Sequence, residues 1–167
     1  MNATQKPTLL LIDGHSLAFR AFYALSPDSF KTPDGQHTNA VHGFISMLLN
    51  ILAAEKPTHL AVAFDLSRSS FRTDEYPEYK GTRGETPPEF NGQTELLREA
   101  LTAMNIKTIT RENFEADDIL ASLADQSGAK GFNVFVVSGD RDTFQLISES
   151  TTILYPVKGV LNLARMD

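Results

Sequence analysis

The feature that most constrains the fold is a short apolar run that leads into an aspartate, and it occurs three times. The runs are TLLLID at Thr8–Asp13, HLAVAFD at His59–Asp65 and FNVFVVS at Phe132–Ser138, the last followed by Gly139 and Asp140. Uninterrupted apolar runs of this length are typical of strands that are buried on both faces. Strands of this kind occur mainly in parallel sheets whose faces are covered by helices.

Helical patterns separate these runs. Apolar residues recur at helical spacing across residues 39–54, and Pro57 follows the end of that segment. The alternation of strand and helix predicts an α/β domain with a mostly parallel central sheet flanked by helices. Further helices are predicted at 93–104, 115–130 and 143–147, and further strands at 106–110 and 152–155.

Acidic residues follow the predicted strands at the ends where parallel sheets form their sites. Such sites lie outside the carboxyl ends of the strands. If the strands are neighbours, seven carboxylates meet at one edge of the sheet: Asp13, Asp65, Glu115, Asp117, Asp118, Asp140 and Asp142.

Each of these acids also has a structural explanation. Asp13 suits an Asx-turn before Gly14, and Asp140 suits the N-cap of a following helix. Acids in the first turn of a helix are favoured by roughly 0.3–1 kcal/mol each. Seven clustered carboxylates, however, would repel one another and raise one another's pKa values, so that cations are needed to neutralise them.

The available ligand types favour Mg²⁺ or Mn²⁺. The chain has no cysteine, and His15, His37, His42 and His59 form no ligand pattern. Carboxylate oxygens are hard ligands, which suit these ions better than they suit zinc. Two such ions about 3.5–4 Å apart are suited to in-line displacement at phosphorus. Because they would neutralise four of the excess negative charges, the formal net charge of −6 does not exclude a nucleic-acid substrate.

A polar and aromatic segment at about 66–90 follows Asp65 directly. It contains five acids against four bases, which is also the composition of a solvated, mobile loop. Its position beside the predicted metal site favours contact with the phosphates and bases of a nucleic acid instead. The residues suited to that contact are Arg68, Arg72, Tyr79, Lys80 and Arg83.

Five stretches of the chain resemble the 5′-nuclease domains that bacterial DNA polymerases carry, which belong to the flap endonuclease family. They are LLLIDGHSLAFRAFYAL, AVAFDLSRSSFR, YPEYKGTRGETPPEF, FEADDILASLA and VVSGDRDTFQLIS. They occur in the family's order and approximate spacing and cover nearly the whole chain. The resemblance implies a 5′-nuclease (PIN-like) fold in which residues of about 66–90 form a mobile arch.

The resemblance also implies a function and partners. The expected activity is that of a structure-specific 5′ nuclease, a flap endonuclease and 5′-3′ exonuclease that uses two metal ions in replication and repair. The expected partners are DNA with 5′ flaps or nicks, RNA–DNA primers, and a polymerase domain in the same full-length chain. A cytoplasmic, nucleoid-associated monomer is expected, and no apolar segment is long enough to suggest a membrane partner.

Residue roles follow from the matching motif positions. Lys80 and Arg83 correspond to the basic residues at the base of the arch that steady the scissile phosphate, and Tyr79 is placed to stack on a base. For the first metal ion the resemblance implies Asp13, Asp65, Glu115 and Asp117 as ligands or as partners of the ligands. For the second it implies Asp118, Asp140 and Asp142, a set that is short of the further aspartates supplied in the family by the region that follows.

The chain is expected to form a single catalytic core over residues 1–167, without the helix–hairpin–helix region that follows in the family. This leaves one alternative open, a folded fragment that binds metal but is catalytically incomplete and binds DNA weakly. Two other acidic α/β families are disfavoured. A receiver domain requires an acidic pair after its first strand, and a haloacid-dehalogenase phosphatase requires Asp-x-Asp there, whereas this chain has Asp13-Gly14-His15.

Overall fold

The computed structural model describes residues 6–64, 87–110, 116–158 and 162–166, and a six-stranded sheet lies at its centre. The strand order is β3-β2-β1-β4-β5-β6; the first five strands are parallel, and β6 runs antiparallel to β5. The predicted mostly parallel sheet is confirmed. The strands are β1 (Thr8–Asp13), β2 (His59–Ala63), β3 (Lys107–Ile109), β4 (Asn133–Val137), β5 (Thr151–Lys158) and β6 (Asn162–Met166).

Four α-helices and three short 3₁₀ helices connect the described strands. Within these residues, no helix combines the length and apolar character needed to cross a membrane. The α-helices are α1 (Gly14–Ala24), α2 (Asn39–Glu55), α3 (Gln93–Ala103) and α4 (Ala116–Ala129), and the 3₁₀ helices are Pro27–Ser29, Pro88–Phe90 and Arg141–Leu146.

One predicted helix differs in form from the structure, and one strand of the structure was not predicted. The short helix predicted at 143–147 is the 3₁₀ helix Arg141–Leu146. It starts earlier because the Asp140 carbonyl accepts hydrogen bonds from both the backbone N–H and the hydroxyl of Thr143, which forms a tight turn. Strand β6 was not predicted, since its sequence NLARM has no strand pattern and its partner is the neighbouring β5.

Both faces of the sheet are covered, which explains the continuous apolar runs. Along β1, Leu10 and Ile12 are fully buried in a cluster with residues of α1, α2 and α3. Leu11, which points to the opposite face, is buried in a second cluster that contains Leu120 of α4. Successive residues of a strand point to opposite faces, so a strand between two helical layers needs apolar residues at every position.

The end of the predicted arch segment is anchored in the core. Phe90 is 3% exposed, and its ring lies parallel to that of Phe19 at a centroid distance of 4.8 Å. The buried Gln93 side chain accepts a hydrogen bond from the backbone of Ala40 and donates one to the side chain of Asn39. These contacts attach the start of α3 to α1 and α2. Residues 65–86 lie outside the described part of the chain, so the arch itself remains a prediction.

Gly14 lies at a close approach between the first two strands. A Cβ atom added there would lie 2.5–2.7 Å from three atoms of the Phe64 ring, which is fully buried at the end of β2. Only glycine leaves room for this contact, which brings the carboxyl ends of β1 and β2 together.

We expect Gly14→Ala to lower the free energy of unfolding by about 1–3 kcal/mol, because the added methyl group overpacks a buried ring. Chemical denaturation of the purified chain measures this. A Phe64→Leu background supplies the control, since the smaller side chain makes room and should reduce the cost of Gly14→Ala. An equal cost in both backgrounds would contradict the proposed contact.

Candidate metal centre at the carboxyl edge of the sheet

The strand order places four carboxyl ends side by side, those of β3, β2, β1 and β4, which we call the acidic edge. In the pairing of β1 with β4, Ile12 is opposite Val137. The next residues, Asp13 and Ser138, are therefore neighbours where the strands end. The alignment needed to bring the predicted acids to one side of the sheet is present.

Asp13 is 4% exposed and is held from two directions. Its Oδ1 accepts a hydrogen bond of 3.3 Å from the backbone N–H of Ser16, which makes Asp13 the N-cap of α1. Its Oδ2 accepts a hydrogen bond of 3.0 Å from the buried hydroxyl of Ser138. A buried carboxylate is costly unless donors satisfy it, and these two donors also fix its orientation.

Asp140 is connected to Asp13 through the same serine. Its backbone N–H donates a 3.0 Å hydrogen bond to Ser138 Oγ, which in turn donates to Asp13. The Asp140 side chain accepts a 2.9 Å hydrogen bond from the backbone N–H of Asp142 and so caps the 3₁₀ helix. The cap predicted for Asp140 is confirmed, and this turn fixes the backbone of both acids relative to β1.

A second hydrogen bond joins the two loops of the edge. The hydroxyl of Ser16 accepts a 2.9 Å hydrogen bond from the backbone N–H of Gly139. A Cβ atom at Gly139 would lie 3.1 Å from Ser16 Oγ and 3.1 Å from Arg20 Nε. The first turn of α1 and the loop after β4 are therefore in close contact.

The other predicted metal ligands lie on α4 or outside the described residues. Asp118 is partly buried in the first turn of α4, and the backbone of Asp117 belongs to the same helix. Asp65 and Glu115 fall outside the described residues, as do the side chain of Asp117 and all five residues predicted to contact nucleic acid: Arg68, Arg72, Tyr79, Lys80 and Arg83.

The chemistry of this donor set fits hard divalent cations. Asp13, Asp140 and Asp142 offer only carboxylate oxygens, which Mg²⁺ and Mn²⁺ prefer. Within the described residues, no three Asp, Glu or His side chains are close enough together to form a metal-binding group. The described part of the edge therefore contains only part of the predicted ligand set.

Four residues beside the edge were not predicted as site residues. Ser138 connects the carboxylate of Asp13 to the backbone of Asp140, and its position directly after a predicted strand was the available signal. Arg20 donates a 3.1 Å hydrogen bond to the hydroxyl of Tyr155 on β5. Arg141 also lies near that ring, and its position in Asp-Arg-Asp was a signal. The sequence contains no such signal for Tyr155, because only the pairing of β4 with β5 brings this residue beside the acidic edge.

The two arginines change the acidity of the tyrosine. A hydrogen bond from the side chain of Arg141 is the largest influence that lowers the pKa of Tyr155 below its ordinary value. Partial burial raises this pKa, whereas the charges of both arginines and a hydrogen bond from Arg20 lower it. The net direction is downward, because nearby positive charge favours the phenolate.

Comparison with protein families gives one match over nearly the whole chain. The model of the 5′-3′ exonuclease, N-terminal resolvase-like domain matches residues 8–166. The chain is 55% identical over 160 residues to DNA polymerase I of Mycobacterium bovis and 44% identical over 160 residues to that of Bacillus subtilis. In both cases the match covers 96% of this chain and 18% of the relative, so the chain spans about a fifth of the length of these relatives.

Solved structures give the same fold. The T5 5′-exonuclease, in a structure with bound divalent metal ions (zinc), is similar with a TM-score of 0.64 and 24% identity; the match covers 89% of this chain and 55% of that one. Flap endonuclease-1 from Methanococcus jannaschii is similar with a TM-score of 0.58 and 14% identity, over 96% of this chain and 56% of that one. At these identities the similarity establishes the fold alone.

We expect Ser138→Ala to destabilise the chain by about 1–3 kcal/mol, because Asp13 loses a buried donor and the Asp140 N–H loses its acceptor. The free energy of unfolding from chemical denaturation measures this. Ser122→Ala is the matched control, since Ser122 is an exposed residue of α4 whose hydroxyl accepts an exposed hydrogen bond from Gln126. Equal effects of the two substitutions would contradict a special role for Ser138.

We expect Arg141→Gln to raise the pKa of Tyr155, because it removes the largest influence that favours the phenolate. Because the pKa of Tyr155 is lowered in the folded chain, its ionisation at alkaline pH adds to the free energy of unfolding. This contribution is lost as the pH falls through the lowered pKa. Absorbance titration of the phenolate measures the change, with Tyr155→Phe identifying the signal. An unchanged titration in Arg141→Gln would contradict the contact.

Proposed function

Because the chain belongs to the 5′-3′ exonuclease family, we propose that it is a structure-specific 5′ nuclease. Its substrates are phosphodiesters of DNA or RNA primers at 5′ flaps and nicks, and its role is in replication and repair. The observation that carries this proposal is the acidic edge, where Ser138 joins the buried carboxylate of Asp13 to the Asp140 turn. Family membership indicates which chemistry such an edge performs.

The proposed ligand set for two Mg²⁺ or Mn²⁺ ions consists of seven carboxylates. When bound, two such ions supply a hydroxide nucleophile and stabilise the negative charge that develops on the phosphate and the leaving oxygen. The first ion is assigned to Asp13, Asp65, Glu115 and Asp117, and the second to Asp118, Asp140 and Asp142. Divalent ions in the T5 5′-exonuclease support metal dependence in this fold.

The described residues contribute orientation to this mechanism. The hydrogen bonds from Ser16 and Ser138 hold the carboxylate of Asp13 in place, and a carboxylate oxygen can accept more than one bond. The backbone N–H of Asp142 orients Asp140 in the same way. Donors that fix a ligand before metal binds reduce the reorganisation needed at the site.

Basic and aromatic residues of the arch segment complete the proposal. Lys80 and Arg83 are proposed to contact the scissile phosphate, and Tyr79 to stack on a base. Arg68 and Arg72 are proposed to bind the nucleic-acid backbone. Guanidinium and ammonium groups bind phosphates electrostatically, whereas aromatic rings stack on bases of any sequence.

The relatives suggest the wider context of the chain. They are DNA polymerases I of which the match covers only 18%, so we propose that a polymerase domain follows in the full-length protein. We further propose that this protein acts as a monomer on nucleoid DNA in the cytoplasm. The alternative is a metal-binding fragment that does not cleave, and the following experiment separates the two.

We expect cleavage of a labelled 5′-flap DNA in Mg²⁺ or Mn²⁺, and its loss in Asp142→Asn by about tenfold to a hundredfold, because removing a ligand charge weakens metal binding and orientation. Gel analysis of the products measures both. Asp125→Asn, on the exposed face of α4, is the matched control and should cleave normally. Metal binding without any cleavage by the unmodified chain would favour the incomplete fragment.

We expect Lys80→Ala to slow cleavage more than it weakens metal binding, because an ammonium group at the scissile phosphate acts on the substrate. Single-turnover cleavage and calorimetric titration of Mn²⁺ measure the two effects. Lys130→Ala, an exposed residue that follows α4, is the charge-matched control. Parallel losses of cleavage and metal binding in Lys80→Ala would indicate a structural role instead.

A further inference from the structure

Two arginines from distant parts of the chain meet on one tyrosine. The guanidinium carbon of Arg20 on α1 lies 5.5 Å from the centroid of the Tyr155 ring, and that of Arg141 lies 6.0 Å from it. Arg20 also donates its 3.1 Å hydrogen bond to the phenol oxygen. Phe144 packs edge-on against the same ring at 5.3 Å, which fixes the ring from another side. We call Arg20 and Arg141 the arginine pair.

The arginine pair lies beside the acidic edge. Arg141 separates Asp140 from Asp142 in sequence, and Arg20 is one turn beyond Ser16 on α1. Arg20 also contacts the loop after β4, since a Cβ atom added at Gly139 would lie 3.1 Å from Arg20 Nε and 3.3 Å from its Cγ. The pair therefore flanks the loop that holds the proposed ligands of the second ion.

The positive charges of the pair have no carboxylate partner among the described residues. In that part of the chain the ion pair present is that of Arg165 with Glu55, at 3.1 Å. Arg165 also lies over an aromatic ring, that of Phe135, at 5.0 Å. The partners of these arginines differ: Arg165 is paired with the carboxylate of Glu55, whereas Arg20 and Arg141 lie on the neutral phenol of Tyr155. Two cations held on one ring repel each other, and an anion bound between them would offset that repulsion.

We propose that Arg20 and Arg141 together bind a phosphodiester of the nucleic-acid backbone next to the acidic edge, and that Tyr155 is a positioning residue that holds them. This inference rests on the proposed nuclease function and adds a contact to it. The guanidinium group presents several N–H donors in a planar fork that matches the oxygens of a phosphate, and it is the preferred group for such contacts. Tyr155 orients the two guanidinium groups without neutralising their charge.

The position explains why the anion is a backbone phosphate. A protein carboxylate at this place would compete with the neighbouring aspartates for the same cations. A nucleic-acid strand whose scissile phosphate lies at the acidic edge has another phosphodiester within one nucleotide on either side. In this arrangement the arginine pair attracts the strand, while bound metal ions would neutralise Asp140 and Asp142. The acids would therefore bind the metal ions, and the neighbouring arginines the nucleic acid.

The test is DNA binding in EDTA, where metal-dependent cleavage cannot interfere. Fluorescence anisotropy with a labelled 5′-flap DNA between about 50 and 200 mM salt gives the slope of log affinity against log salt. We expect Arg20→Gln and Arg141→Gln each to weaken binding and reduce the slope by about 1, and the double variant to reduce it by about 2. Arg165→Gln, the ring-packed arginine that has an acidic partner, should leave the slope unchanged.

The positioning role has its own readout. Tyr155→Phe keeps the ring and removes the acceptor for Arg20, so it should weaken binding about threefold to tenfold. In the Arg20→Gln/Arg141→Gln double variant the same change should have almost no effect, because Tyr155 acts through these two arginines. Independent, additive losses would assign Tyr155 a different role and overturn this part of the inference.

The remaining outcomes separate this inference from the proposed function. Unchanged slopes in both arginine variants, with normal binding by the unmodified chain, would overturn the phosphodiester contact and leave the nuclease proposal intact. If the arginine variants show the expected slopes but the chain never cleaves, the phosphodiester contact is supported and the nuclease proposal is overturned. Inorganic phosphate at matched ionic strength should not compete; specific competition would show that the pair binds free phosphate groups instead of the backbone.

Discussion

The contact between the two aspartates of the acidic edge, Asp13 and Asp140, depends on the hydrogen bond from the hydroxyl of Ser138 to Asp13 Oδ2. It exists because β1 and β4 pair in a register that brings their last residues side by side. A shift by one residue would turn the side chains of one strand to the other face. The two apolar clusters fix the register, since Leu10 and Ile12 face one helical layer and Leu11 the other. Core packing thereby sets the geometry of the site.

The structural and functional explanations of the acids do not exclude each other. Asp13 and Asp140 both cap the helices that follow them, as a purely structural reading requires. A cap uses part of the accepting capacity of a carboxylate and also fixes its direction. Capping thus prepares these residues for the metal binding that we propose.

Local patterns predicted most of the fold. The apolar runs gave β1, β2 and β4, and helical periodicity gave α2, α3 and α4 to within a residue or two. The strand β6 and the 3₁₀ form of Arg141–Leu146 escaped prediction. Both depend on partners that local sequence does not specify: β6 on its pairing with β5, and the 3₁₀ helix on hydrogen bonds to the Asp140 carbonyl.

The sequence by itself determined the type of sheet, the order of its elements and the placement of an aspartate at the end of β1 and another after β4, because these follow from the pattern of side chains along the chain. Tertiary structure decided which residues stand beside those aspartates. Ser138 reaches Asp13, and Tyr155 reaches Arg20 across 135 residues, only because β1, β4 and β5 are neighbours in the sheet. Strand order is a property of the packed core as a whole, so no local pattern encodes these contacts.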